Sequence, residues 1–432
     1  MVKPKACYEV TPLVFNDYMN CLSADPTKEK LIPLIDKANE IGSEIFCIDA
    51  GWFGPQEIGY EWGFMLGDWE PSINRFGEDG LQGILNYIKE KGMTPGIWLE
   101  MEVCGEKANL FNKPDSWFLK RHGKRVGGGM RQFLNFTNIE VRNYVHKVID
   151  RLINMGVGFI KNDYNDCIGI GDDEIGTSAS DGLLKLTKAF YDFVDEIRER
   201  HPELIIENCG SGAMREDNGI LSHFHMQSST DQETYYKYPS IIQGSLASVL
   251  PEQLGVWSYP WPLSINEHEN IEKITSKEYI ESMSDGEQTI FNMVDGLCGA
   301  MYVSGCIQYA DKKNLDLIKD GTSVYKSIRE FLHSSYPVWP TSFLRLQDKN
   351  NWATQGFLNE DKDTLMLAIW RLGSHDEEIE VPLPWFIKKD IKIEQLYPSR
   401  GYDIELFYNK HRGVLTVKIP KNYSGRFIKI TI

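Results

Sequence analysis

The 432-residue sequence predicts an α/β chain, a (β/α)8 TIM barrel over residues 1–337 followed by a small C-terminal antiparallel β-sandwich over 338–432. Three observations predict it. Short apolar runs alternate with longer amphipathic stretches, the order expected of βα units around a parallel sheet. About eight such runs occur, the number that closes a (β/α)8 barrel. Past SSYPVWP (334–340) the helical periodicity stops, and only short alternating runs separated by Gly, Asn, Asp and Pro remain.

The first unit is LIPLIDKANEIG (31–42), apolar at helical spacing and closed by Gly42, leading into the strand EIFCIDAGWF. LQGILNYIKEKGM then precedes TPGIWLEMEV, a strand with a charged end, and RQFLNF (131–136) is expected as the third strand. VRNYVHKVIDRLINMGV leads to GFIKNDYND, and LLKLTKAFYDFVDEIRERHP to ELIIENCGSG. FHMQSSTD (224–231), QLGVWSY (253–259) and GAMYVSG (299–305) complete the set. Beyond the helical stretch LIKDGTSVYKSIREFLH, the runs TLMLAIWRL, EEIEVPLP, DIKIEQLYP, DIELFYN, GVLTVKIP and GRFIKITI read as a packing domain without its own chemistry.

Composition narrows the function. A formal net charge of -16 argues against nucleic acid, because phosphate-backbone binding draws on clustered Lys and Arg. The opening MVKPKACYEV lacks the apolar core of a signal peptide, and no run of about 18 apolar residues offers a membrane span, so the expectation is a soluble, cytoplasmic protein with no membrane partner. The eight cysteines form no CxxC pairs, and free thiols are expected. The five histidines weighed as metal ligands, His122, His146, His223, His225 and His268, have no HExxH spacing; no metal and no cofactor are expected, and His223 and His225 are read as lining the barrel or packing under it. A homo-oligomer is compatible with everything above.

In a parallel barrel the C-terminal ends of the strands face one opening, so polar residues that terminate apolar runs converge there. Asp49, Glu100 with Glu102, Arg131, Lys161 with Asp163, Glu207 with Cys209, and Asp231 fall at successive strand ends. One such acid is usually a helix cap or loop residue; the series is harder to explain that way. Trp52, Trp62, Trp69, Trp98, Tyr164 and Trp257 lie near the same ends, and flat apolar rings beside carboxylates suit the C–H faces of a sugar. Two carboxylates are the minimal equipment of glycoside hydrolysis. Asp163 sits two residues after Lys161, whose cation would hold it ionised and fit to attack. Asp231, in SSTDQ with no adjacent cation, is the better general acid.

These segments resemble, in order, glycoside hydrolase family 36, the melibiase-type α-galactosidases. PLVFNDYMNCLSADPTKEKLIPLIDKANEIGSEIFCIDAGWFG is similar to the family's opening barrel segment, and LGDWEPSINRFGEDGLQGILNYIKEKGMTPGIWLEMEV to the next. RQFLNFTNIEVRNYV, GFIKNDYN and ENCGSGAMREDNGIL resemble its later motifs, the second of these its nucleophile strand. The resemblance implies a retaining double displacement with Asp163 as nucleophile and Asp231 as acid/base. It also implies a pocket lined by Asp49, Trp98, Arg131, Lys161, Cys209 and Gly212, with Trp52 and Trp69 in the matching loops.

The sequence also departs from the family. Ala50 stands where the family has the second aspartate of a pair that grips the sugar's 4- and 6-hydroxyls, so the resemblance implies either relaxed selection at those positions or a neighbour such as Trp52 or Glu57 filling the space. Asn162 and Ser228 replace tryptophans, Met101 replaces a proline, and, with barrel sequence beginning almost at once, the family's N-terminal β-sandwich is expected to be absent. The expected substrate is a small carbohydrate, a terminal α-galactoside. The alternatives are an α-N-acetylgalactosaminidase, or a related α-glycosidase with an altered pocket, and a non-catalytic sugar-binding barrel.

Overall fold

In the computed structural model, residues 11–54, 62–261 and 274–432 are described. Mainly apolar runs become parallel strands that are buried apart from Thr94 and a partly buried Ile205 at the starts of two of them: β1 (Val14–Asn16), β2 (Ile45–Ile48), β3 (Thr94–Leu99), β4 (Phe159–Asn162), β5 (Ile205–Asn208), β6 (Met226–Ser228), β7 (Leu254–Trp261) and β8 (Ala300–Gly305). They follow one another in sequence order around a closed barrel. Burial on both faces explains why these strands read as unbroken apolar runs and not as alternation.

The chain divides into two compact units. One holds Ser23–Ile35 and Ile45–Gln227, the other Asp36–Glu44 and Ser228–Ile432 together with β1. Within the first, β2 pairs β3 through Ile45 opposite Thr94, β3 pairs β4 through Trp98 opposite Lys161, and β4 pairs β5 through Lys161 opposite Glu207. This register sets Trp98, Lys161 and Glu207 side by side, and the period of two brings Asp163 to the same face as Lys161. The helices α1 (Lys28–Glu40), α2 (Gly80–Glu90), α3 (Ile139–Met155) and α4 (Ala179–Arg200) fall where periodicity places them. Asn138 caps α3 by accepting from Glu140 N, and Gly156 closes it at φ 102°, a conformation glycine takes without penalty.

One expected strand is corrected. RQFLNF is not a barrel strand: Gln132–Phe133 pairs antiparallel with Val103–Cys104 in an excursion between β3 and α3. Phe133 N donates to Val126 O and Leu134 N to Glu102 O, so the backbone groups of this run are satisfied inside the excursion. Gly127, at φ 117°, makes room for it, since a Cβ there would lie 1.9 Å from Arg131 O. The barrel position is filled by Val14–Asn16, three residues too few to give a periodic signal.

In the second unit β7 pairs β8, and β8 pairs β1. Beyond the helix Lys312–His333 come β9 (Ser335–Val338), β10 (Trp352–Asn359), β11 (Thr364–Arg371), β12 (Glu378–Pro382), β13 (Lys392–Tyr397), β14 (Glu405–Asn409), β15 (Val414–Lys418) and β16 (Ser424–Thr431). They form a five-stranded sheet, β9-β10-β11-β16-β13, and a three-stranded one, β12-β15-β14. Leu365, Leu367, Ile369, Ile428 and Ile430 of the first meet Val381, Leu415 and Val417 of the second in one apolar core. Arg426 of β16 forks onto both oxygens of Glu287 at 2.8 and 2.9 Å, fastening this region to the helix Glu287–Gly296 through a buried ion pair. No helix among the described residues is long and apolar enough to cross a membrane.

Candidate active site

The first unit gathers its charged residues at the C-terminal ends of β2 to β5. Asp49, directly after β2, is buried; its Oδ1 accepts from Ala50 N at 2.8 Å and its Oδ2 from Lys161 Nζ at 2.8 Å. Burial works against the Lys161 ammonium, but Asp49 first, then Cys209, Glu207 and Asp163, outweigh it and hold its pKa well above the ordinary value. The sequence placed this cation beside Asp163. Its direct partner is Asp49, and it acts on Asp163 through space.

Asp163, immediately after β4, is enclosed by donors. Oδ1 accepts from Tyr164 N at 2.8 Å and Ser211 N at 3.1 Å; Oδ2 accepts from Asn165 Nδ2 at 2.8 Å and Trp98 Nε1 at 3.1 Å. The Cys209 thiol adds a further contact. Burial alone would raise this carboxyl, but the Lys161 charge and the hydrogen bonds carry its pKa below the ordinary value. The result is a buried carboxylate that is ionised at neutral pH.

Around it stands an aromatic wall. Trp52 is fully buried and donates through Nε1 to Trp98 O at 2.9 Å, and its ring stacks 6.3 Å from Trp69. Trp69 in turn meets Trp98 edge-on at 6.0 Å, and Trp62 meets Trp98 at 5.3 Å. Gly51, at φ 99°, lets the loop after β2 turn against Ala24, whose carbonyl would lie 2.1 Å from an added Cβ. Arg131 lies on the excursion, not at a strand end. Its Nε donates to both oxygens of Glu100 at 2.9 and 3.0 Å, and its guanidinium sits 5.5 Å from the Trp62 ring. Glu100, and Glu102 paired with Arg215 at 2.7 Å, are both raised by burial against the pull of their arginines. Cys209 follows β5 and its N–H donates to Asn162 O; Gly212, buried at φ 86°, accepts from Gln227 Nε2 at 3.3 Å.

Asp231 belongs to the second unit, exposed on the segment after β6. Its charge acts on Tyr238 and Tyr259, two buried phenols whose hydroxyls lie 3.2 Å apart. Two residues on, Glu233 is gripped by Asn20, whose N–H donates to Oε1 at 3.3 Å and whose Nδ2 donates to the carbonyl at 3.2 Å. Trp257 donates to Ser228 Oγ at 3.3 Å, so the serine that departs from the family pattern has a barrel partner.

His223 stacks on Tyr191 and meets Asp195 at 3.0 Å, while His225 Nδ1 accepts from Ile206 N at 3.0 Å. His268, Glu57 and Cys7 lie outside the described residues, and the other seven cysteines are free thiols. Sequence reasoning assigned nothing to Asn165 or Ser211, yet both hydrogen-bond Asp163. Asn165 could have been found from its offset of two from Asp163; Ser211 carried no signal, since its role depends on where the loop after β5 folds.

A carboxylate cluster with a buried cation and an indole wall at the C-terminal end of a parallel barrel is the arrangement of a polar ligand site in this fold class. Residues 1–253 match the family model described as Melibiase, and the chain belongs to that family. An α-galactosidase of Escherichia coli is 29% identical over 228 residues, covering 52% of this chain and 31% of the relative. The bifunctional alpha-galactosidase/sucrose kinase AgaSK of Mediterraneibacter gnavus is 29% identical over 199 residues, 46% of this chain and 20% of that one. The chain thus spans about a third or less of the length of these two relatives. Among solved structures, the galactosidase domain of AgaSK superposes with a TM-score of 0.78 at 19% identity, covering 99% of this chain and 55% of that chain. A β-L-arabinopyranosidase from Geobacillus stearothermophilus gives 0.66 at 13% identity, covering 99% of this chain and 98% of that one. At these identities the two superpositions speak for the fold.

Proposed function

We propose that this protein is a retaining exo-α-glycosidase that releases terminal α-linked galactose from oligosaccharides or glycoconjugates, using the barrel region 1–337 and no cofactor. The observation that carries the reading is the state of Asp163: a buried, donor-rich carboxylate kept ionised beside Lys161 and Asp49. Melibiase-family membership and relatives named as α-galactosidases support the substrate class.

In this reading an Asp163 oxygen attacks the anomeric carbon while Asp231 gives its proton to the departing glycosidic oxygen. The C–O bond to the leaving group breaks as the bond to Asp163 forms. Water, deprotonated by the Asp231 carboxylate, then attacks the same carbon, displaces Asp163 and regenerates the protonated acid. Asp49, Lys161, Arg131, Trp52, Trp69, Trp98, Cys209 and Gly212 bind the sugar or shape its pocket. Ala50 favours a second reading in which the same chemistry acts on a galactoside variant, an N-acetylgalactosaminide included, because the hydroxyl-binding carboxylate expected there is missing.

A panel of nitrophenyl α-glycosides followed by proton NMR tests both. Cleavage of the α-galactoside with the α-sugar appearing first is expected. Appearance of the β-sugar first would overturn retention, and no cleavage of any member would leave a sugar-binding barrel.

A further inference from the structure

We infer that Asn165 is a positioning residue that fixes the orientation and ionisation of Asp163, and that Glu100 and Ser211 act on Asp163 through it. The inference rests on the reading of Asp163 as nucleophile, and it concerns residues of one unit only. Asn165 is tied down on three sides. Its backbone N–H donates to Glu100 Oε1 at 2.9 Å, its Nδ2 reaches Glu100 Oε2 at 3.3 Å, and its Oδ1 accepts from Ser211 Oγ at 2.7 Å. The remaining reach of Nδ2 goes to Asp163 Oδ2 at 2.8 Å.

The chemistry of these partners sets the amide's orientation. Two carboxylate oxygens require the NH2 end, and the Ser211 hydroxyl, whose proton has only Oδ1 within this group, donates to the other end. Glu100 is fully buried and anchored by Arg131 Nε on both oxygens, so the anchor cannot swing into solvent. Ser211 contacts Asp163 twice over, through Asn165 and through its own N–H to Oδ1 at 3.1 Å. The carboxylate plane of Asp163 is therefore fixed by donors on both oxygens. Attack on an anomeric carbon needs one lone pair aimed along a single line, and a misplacement of about 1 Å costs on the order of 100-fold.

The experiment uses the full chain with 13Cγ-labelled aspartate. The carboxyl resonance of Asp163 is assigned by its loss in Asp163→Asn and titrated in the wild type, Asn165→Asp, Asn165→Ala and Ser211→Ala. In Asn165→Asp a carboxylate replaces a donor 2.8 Å from Oδ2. Like charges that close cannot both ionise, and one apparent pKa of the pair is expected to rise by about two units or more. Asn165→Ala removes one hydrogen bond, with an expected rise of about one unit. The acid limb of kcat/KM should move by the same amounts while KM changes little, and Ser211→Ala, which keeps the backbone donor, should lower kcat by only a few fold.

An Asp163 titration in Asn165→Asp and Asn165→Ala that matches the wild type would overturn the inference. Should the wild type cleave no α-glycoside while the titration shifts as described, the functional reading falls and the assignment of Asn165 stands. Wild-type turnover with an unmoved titration in both Asn165 variants has the opposite meaning.

Discussion

Lys161 Nζ lies 2.8 Å from Asp49 Oδ2, and the two side chains, from strands separated by β3, are almost entirely removed from water. A buried pair of this kind contributes little net stability against an apolar replacement, but removal of one partner strands the other's charge at a cost of about 3–5 kcal/mol. Lys161→Met should therefore destabilise the fold by that amount in urea denaturation. Adding Asp49→Asn to it should restore most of the loss. Equal destabilisation in the single and double variants would mean that the two charges do not depend on each other.

Catalytic roles separate by leaving group. Asp163→Asn removes the attacking oxygen's charge and should abolish turnover of every substrate. Asp231→Ala should slow natural oligosaccharides by several orders of magnitude, yet spare nitrophenyl substrates whose leaving group needs no proton. Azide, small enough to enter the space of the lost carboxylate, should accelerate only Asp231→Ala and form a glycosyl azide. If that product does not form with an activated substrate, Asp231 is not the acid/base.

His225 supplies a pH dependence of stability. It is almost fully buried, and burial first, then the Arg198 charge, lowers its pKa from 6.5 to about 4. The unfolded imidazole takes up a proton below 6.5 while the folded one resists until about 4. Stability from this group is thus complete above pH 6.5 and declines between 6.5 and 4, by about 1.4 kcal/mol per pH unit. His225→Asn keeps an acceptor for Ile206 N without the titration. Its unfolding free energy should fall less steeply over that window than the wild type's; parallel curves would remove His225 from the account.

What was legible in the sequence follows from which interactions are local. Lys161 and Asp163 could be placed on one face because a strand has a period of two, and Asp49 because it ends an apolar run. The sandwich strand Trp352–Asn359 was hidden by Thr354 and Gln355, polar yet fully buried, with Gln355 Nε2 donating to Val338 O. RQFLNF had the composition of a barrel strand, and only its long-range hydrogen bonds to the excursion exclude it. The donors around Asp163 were partly readable: Trp98 lies on the neighbouring strand, whereas Ser211 arrives from a loop at φ 45° that no local pattern encodes. Arg131 was found for its charge and misplaced in the barrel, because the charge is explained by Glu100, a partner far away in sequence.

Ala50 provides the sharpest test of sugar selectivity. Its side chain is almost fully buried and its N–H is already committed to Asp49 Oδ1 at 2.8 Å, so the loop offers no second carboxylate at this position. Trp52, one neighbour expected to compensate, has its indole N–H bound to Trp98 O at 2.9 Å and no exposed surface. A carboxylate that accepts from a sugar hydroxyl discriminates strongly, since an analogue without the hydroxyl leaves a buried charge unpaired; an alanine exerts no such selection. The wild type should therefore distinguish α-galactosides from their 6-deoxy counterparts by only about tenfold in kcat/KM, the low end of what an apolar contact gives. Ala50→Asp should widen the ratio to about 100-fold or more, with some loss of stability from a second carboxylate beside Asp49. Paired kcat/KM measurements on both sugars in both proteins decide the point. A wild-type preference for the 6-hydroxyl as strong as that of Ala50→Asp would mean that another group, bound water included, already does the work of the missing aspartate.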